Sequence, residues 1–355
     1  MAIIGLMMLA HGGKLSAAES ASFQVCVSNE KAGTITLIDG VTRQALTNLT
    51  IGKRPRGIHA SSDGKLLYVA LSGTPISGPP ELDAKGNPIF RKDDDDEKSD
   101  HSADGIAVLD LPARRLLRKI PAGSDPEQFA LSRDGKKLFI SNEDVGTVSI
   151  VRASDGKVEK IVPVKREPEG VALTPDGRQV YVTCETGGEV FVLDAMSGRK
   201  LLQFAVGGRP RNVAFLPDGS RAYVPSESTG VVHVIDAHAY IEVKSIALPE
   251  GSRPMAVVVS RDGKKLYAST GRGGTVCVID TASDTVVNTI KVGTRPWGLG
   301  LSPDGKFLFS ANGPSNDVSV IDLATEKEVQ RIKADQGPWG IEIVSGGNAE
   351  NVAVR

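Results

Sequence analysis

Apolar and polar residues alternate along most of the chain in short runs, of which Gln179 to Thr183 is typical. A period of two marks a half-buried β-strand, and runs of about five residues with turns every ~8–12 predict an all-β protein. Runs are paired through Asp-Gly turns at Asp63-Gly64, Asp134-Gly135, Asp176-Gly177, Asp218-Gly219, Asp262-Gly263 and Asp304-Gly305. Glycine supplies the positive φ that such a tight hairpin needs. A third run ends in Asp39, Asp110, Asp194, Asp236, Asp280 or Asp322, with Arg152 in the equivalent place of one unit. A fourth leads to an X-Pro step, which recurs at Pro55, Pro126, Pro168, Pro210, Pro254, Pro296 and Pro338, with spacings of 71, 42, 42, 44, 42 and 42 residues. The first interval is one unit of 42 plus an insertion of 29.

Four antiparallel strands in about 42 residues cannot bury both faces of their own sheet, so the units are expected to stack radially around a channel. The strand at Phe23 occupies a second-strand position, and the one at Trp339 to Ile343 a lone first-strand position. The C-terminal strand is therefore expected to complete the N-terminal blade. The predicted fold is an all-β, seven-bladed β-propeller with four antiparallel strands per blade. In this reading residues 1–18 are a signal peptide, 19–345 a single propeller domain with an acidic loop insertion at 72–103, and 346–355 a flexible tail.

Composition narrows the function classes. The 42 Lys and Arg residues balance 43 Asp and Glu, a net charge of -1 that offers no basic face for nucleic acid. No later run approaches the ~18 apolar residues of a membrane span. Residues 2–10 are apolar and lead to Ser16-Ala17-Ala18, a small-residue cleavage site, so export to the periplasm or cell surface is expected. Cys26, Cys184 and Cys277 are odd in number and far apart, and read as buried structural residues rather than a disulfide framework. No cofactor or metal is expected, and the ring is expected to be a monomer.

The runs Tyr181-Val-Thr, Val320-Ile-Asp, Arg295-Pro-Trp-Gly and Ser302-Pro-Asp-Gly resemble the YVTN-type repeat family of seven-bladed propellers. Val27-Ser-Asn-Glu and the stretch from Ala311 to Asp322 are similar to propellers associated with periplasmic pyrroloquinoline-quinone-dependent alcohol catabolism. The resemblance covers residues 23–345 and implies an exported propeller. It also implies a partner in a quinone-dependent dehydrogenase system. The 29-residue insertion departs from the pattern.

Candidate chemistry gathers on the face carrying the X-Pro loops. Arg54 and Arg56 flank Pro55, Arg209 and Arg211 flank Pro210, and Arg253 and Arg295 precede Pro254 and Pro296. Two adjacent blades instead carry Asp125, Glu127, Glu167 and Glu169, so the rim is sectored by charge. Trp297 and Trp339 offer a flat apolar surface beside the arginines. These eight Arg and Trp residues are the expected contacts for a partner protein or small anionic ligand, unless the Arg stems cover strands and the Trp rings plug the channel. Glu30, Glu143, Glu185 and Glu227 share one repeat position and are expected to pair with arginines rather than share a calcium ion. The acidic run from Asp93 to Glu97 is expected to overhang this face as a solvated flap.

One inner-strand position is Ala130, Ala172, Ala214, Val258 or Gly300 in five units but His59 and Glu342 in the other two. Those two units become neighbours on closure. The pair is either a lock that seals the ring, the preferred reading, or a general-base pair or partial metal site. The expectation is thus an exported, non-catalytic binding scaffold, with a propeller lactonase or lyase using His59 and Glu342 as the alternative.

Overall fold

The computed structural model describes residues 22–76 and 99–345. The expected signal peptide, the acidic run and the tail lie outside these residues. Seven four-stranded antiparallel sheets form one ring. Blade 1 combines Pro338–Ser345 with Phe23–Asn29, Thr34–Asp39 and Gln44–Thr50. Blades 2 to 7 follow in chain order, beginning at Ile58–Ala60, Pro126–Leu131, Pro168–Leu173, Ala214–Phe215, Val257–Val259 and Pro296–Leu301. Closure follows the expected route, with Phe23 opposite Ser345 and Val25 opposite Ile343 in antiparallel register. Among the described residues no helix is long and apolar enough to cross a membrane.

The alternation seen in the sequence would leave each strand half exposed, yet the two middle strands of a blade are buried almost throughout, as in Leu66–Leu71 and Gly105–Asp110. Both faces of a blade meet a neighbouring blade, so polar positions survive mainly on outermost strands such as Arg115–Ile120. Seven hydrophobic clusters among the described residues map one to each seam between blades. All three cysteines are buried and unpaired within them. Burial pushes the Cys277 thiol up to about 11 and Cys184 to about 12, which keeps both inert at neutral pH.

The seams are also stapled by hydroxyls near the channel. Ser28 Oγ accepts from Gly340 N (2.9 Å) within blade 1 and donates to Arg56 O (2.6 Å) of blade 2. Ser141 joins blades 3 and 4 in the same way through Gln128 N and Glu169 O. Thr183 joins blades 4 and 5, and Ser269 joins blades 6 and 7 through Ala256 N and Trp297 O. Such close approach needs glycine at some first strands. A Cβ on Gly340 would stand 2.7 Å from Arg56 O, and one on Gly298 would stand 2.6 Å from Trp339 O.

Turns are fixed by short side chains. In the Asp-Gly hairpins a hydroxyl bonds the aspartate, as Ser61 Oγ does Asp63 Oδ1 (2.6 Å), and Asp63 Oδ1 accepts from Lys65 N. The strand-ending aspartates accept from backbone N–H groups two or three residues on, as Asp39 does from Val41 and Thr42.

Candidate functional site

Seven side chains converge where the innermost strands begin, each immediately after the X-Pro proline: Arg56, Glu127, Glu169, Arg211, Met255, Trp297 and Trp339. Charged residues occupy one side of this ring and apolar ones the other. The charges interlock instead of forming separate sectors. Arg56, only 2 % exposed, contacts Asp125, Glu127 and Glu143. Arg54 binds Glu30 (3.1 Å). Arg211 contacts Glu169, Glu185 and Glu227, and Arg209 contacts Glu185 and Glu227.

Arg54, Arg56, Arg209 and Arg211 therefore do not present free cations to a ligand, contrary to expectation. A buried guanidinium needs carboxylates, and each arginine finds them on its own hairpin or in the adjacent acidic blades. The four repeat-equivalent glutamates pair with arginines as expected, and Glu185 is buried. Asp125, Glu127 and Glu143 bring carboxylate oxygens within 4.8 Å of one another, a set a metal could use. Arg56 already places its fixed charge against all three.

Proton affinities differ within these networks. Burial pushes Glu127 up to about 7, against the pull of Arg56. It also raises Glu143, aided by the charges of Glu127 and Asp125, although 28 % of that side chain meets solvent. Burial raises Glu227 too, but Arg211 and Arg209 outweigh it and bring the carboxyl down to about 2.

On the apolar side Trp297 and Trp339 lie 5.4 Å apart between centroids, tilted by 39°. Arg295 covers the Trp297 ring at 5.1 Å. Arg253 instead donates to the Glu227 and Ser228 carbonyls. Five X-Pro steps place charged residues in the left-handed region, among them Arg54 (φ 41°), Asp125 (φ 47°) and Arg295 (φ 53°), where blade 1 uses Gly337 (φ 71°).

Between the two sides the channel widens into a cavity of about 130 Å³, bounded by Glu169 and Arg211, by Met255, Trp297 and Trp339, and by His59 below. Gln128 and Asn212 add amides to its wall. His59 keeps 39 % of its side chain exposed and sets its ring edge-on to Phe129 at 5.0 Å. Its Nδ1 lies 3.7 Å from Glu342 Oε2, while Glu342 Oε1 accepts from Ala60 N at 3.1 Å. Glu342 thus ties blade 1 to blade 2, as a lock would, and also stands behind the imidazole. His233, by contrast, binds Glu242 at 2.9 Å near an outer strand, away from the channel.

With this geometry in view, the lactonase seven-bladed β-propeller model matches residues 19–173 and 165–337. The chain belongs to the lactonase seven-bladed propeller family. Membership overturns the expectation of a non-catalytic binding scaffold, and with it the leaning away from an enzyme. That expectation took His59 and Glu342 first as a lock that seals the ring. Among curated proteins none matches the sequence. A Bacteroides uniformis structure described as a candidate 6-phosphogluconolactonase aligns with a TM-score of 0.73 at 18 % identity, covering 92 % of this chain and 100 % of that one. A similarly described structure from Bacteroides fragilis gives 0.72 at 19 %, covering 93 % and 99 %. Hydrazine synthase of Kuenenia stuttgartiensis gives 0.70 at 19 %, covering 88 % and 99 %. At these identities the alignments show the shared fold, whereas the lactonase family match covers nearly the whole ring.

Proposed function

We propose that this lactonase-family propeller hydrolyses a lactone in the channel cavity, with His59 as general base. The observation that carries the reading is the placement of His59 on the cavity wall with Glu342 behind its Nδ1. Nδ1 faces the carboxylate, which leaves Nε2 to take a proton from water as the water oxygen attacks the lactone carbonyl carbon. The tetrahedral intermediate collapses by breaking the ring C–O bond, and the departing oxygen receives that proton from the imidazolium. Glu342 stabilises the transient imidazolium and, through Ala60 N, is itself held in place. A separation of 3.7 Å is long for a hydrogen bond, and catalytic pairs commonly tighten when substrate binds.

The test is titration of acid release from a panel of five- and six-membered lactones. His59→Gln is expected to lower kcat by roughly 100-fold or more while the thermal midpoint stays within ~2 °C of the parent. Unchanged turnover in that variant defeats the assignment of the base. Unfolding assigns the pair to ring closure alone. The finer resemblance, to YVTN-type repeats and propellers of quinone-dependent alcohol catabolism, rests on the runs quoted earlier and supports export. Cell fractionation tests this, with a cytoplasmic location as the opposing result.

A further inference from the structure

We infer that the substrate is an uncharged lactone carrying a planar apolar ring, which stacks on Trp297 and Trp339 while its ester carbonyl meets His59. The inference rests on the lactonase reading for the reaction and on the cavity itself for the ligand class. Arg211 is the only arginine or lysine among the described lining residues, and all three of its guanidinium nitrogens are engaged by carboxylates. An anionic group placed there would displace a buried ion pair and leave carboxylates uncompensated. Arg295 lies outside the lining, over Trp297, so it borders the ring site without offering an anion pocket inside it.

Hydrocarbon faces the polar side of the cavity formed by His59, Glu169 and Arg211. Ile58, Met255, Val257, Leu299 and Ile341 join the two tryptophans, whereas Gln128 and Asn212 supply the uncharged polar side chains. A polyhydroxylated ring would set part of its hydroxyls against this hydrocarbon without partners, a buried polar cost that a planar apolar ring avoids. Asn212 accepts from Val257 N through Oδ1 (3.3 Å), so its orientation is fixed while its amide N–H groups can meet a single carbonyl. The volume of about 130 Å³ takes the planar ring against the tryptophans, as an engineered apolar cavity of about 150 Å³ takes benzene, while the fused lactone ring extends toward the channel.

The chain contains only two tryptophans, and both stand at this site, so intrinsic tryptophan fluorescence reports ligand entry independently of turnover. The full chain is titrated with dihydrocoumarin, a neutral benzo-fused lactone. δ-Valerolactone, gluconolactone and 6-phosphogluconolactone serve as comparisons, with acid release measured in parallel. Dihydrocoumarin is expected to perturb the fluorescence saturably and to be hydrolysed with a KM at least ~10-fold below those of the other three, the effect of about 1.4 kcal/mol of ring contact, apart from the faster kcat its phenolic leaving group gives. Trp297→Leu is expected to raise KM about 10-fold with a smaller change in kcat, and Trp297→Phe to stay within ~3-fold of the parent.

A lower KM for the phosphorylated or polyhydroxylated lactone overturns this inference and leaves the lactonase reading standing. Equal KM values for dihydrocoumarin and δ-valerolactone also overturn it. Saturable dihydrocoumarin binding with no hydrolysis of any lactone supports the ligand class and overturns the lactonase reading. Neither binding nor hydrolysis overturns both. If Trp297→Leu fails to fold, a Trp297→Phe variant with the parental KM for dihydrocoumarin supports the stacking role, and a large rise in that KM counts against it.

Discussion

Arg56 illustrates what a single residue does in this ring. Its guanidinium touches carboxylates from two different loops of blade 3, so it binds blade 2 to blade 3 by charge where the neighbouring seams use hydroxyls. Arg56→Met would leave three acidic groups facing one another, and a loss of about 3–5 kcal/mol is expected, measured by urea unfolding. Glu127 gives the same cluster a pH response. Its carboxyl lies up at about 7, compared with an ordinary 4.5, because burial outweighs Arg56. Between those values the folded chain retains a proton that the unfolded chain has released, so the contribution of Glu127 to stability falls as pH rises through the window. Glu227, brought down to about 2 by Arg211 and Arg209 against burial, contributes fully above its ordinary 4.5 and loses that contribution progressively as pH falls from there to about 2. The thermal midpoint of Glu127→Gln is expected to decline less than that of the parent between about pH 5 and 8. An identical decline in both proteins refutes this. Of these pairings only those of the repeat-equivalent glutamates with arginines were legible in the linear sequence. The arginines and glutamates are there to be counted, but the partners lie anywhere from 16 residues away on the same hairpin, as for Arg211 and Glu227, to 87 away on the next blade, as for Arg56 and Glu143, and are set by ring geometry.

At the scale of the strand, the staple hydroxyls explain why some blades carry a small polar residue inside an apolar second strand. Ser28, Ser141, Thr183 and Ser269 occupy that place, and each satisfies a backbone donor of its own blade and a carbonyl of the next. Ser269→Ala removes both bonds at one seam and is expected to cost about 1–2 kcal/mol. Ser269→Thr should be nearly neutral, since Thr183 already does this work in blade 4. Denaturant midpoints of the two variants check the contrast. The recurring hydroxyl could have been read from the repeats. Asn29, Asn142 and Asn312 carry a related signal, being fully buried, with their amides donating across the hairpin to residues such as Thr36, Ser149 and Ser319. Strand existence was legible because alternation and Asp-Gly turns are local, whereas burial on both faces depends on neighbours.

For the molecule as a whole, the seven X-Pro steps and the displaced first strand were enough to predict the number of blades and how the ring shuts. The cavity was less accessible. His59 and Glu342 stood out as exceptions to a small-residue position, but the apolar half-ring of Met255, Trp297 and Trp339 became a pocket only once the opposite half was seen to be neutralised by ion pairs. Truncation after Gly337 is expected to abolish cooperative thermal unfolding, because it strips Phe23–Asn29 of its inner partner; a sharp transition near the parental midpoint would contradict this. The pairing of Phe23 with Ser345 also governs the order of events during folding. Blades 2 to 7 can each form as local meanders while the chain is made, but the first strand waits with an open edge until the last one emerges. Closure is therefore the slow, long-range step, and its rate competes with chain concentration. In dilute solution the ring closes on itself. In a crowded one, two chains can exchange final strands and satisfy the same hydrogen bonds between molecules.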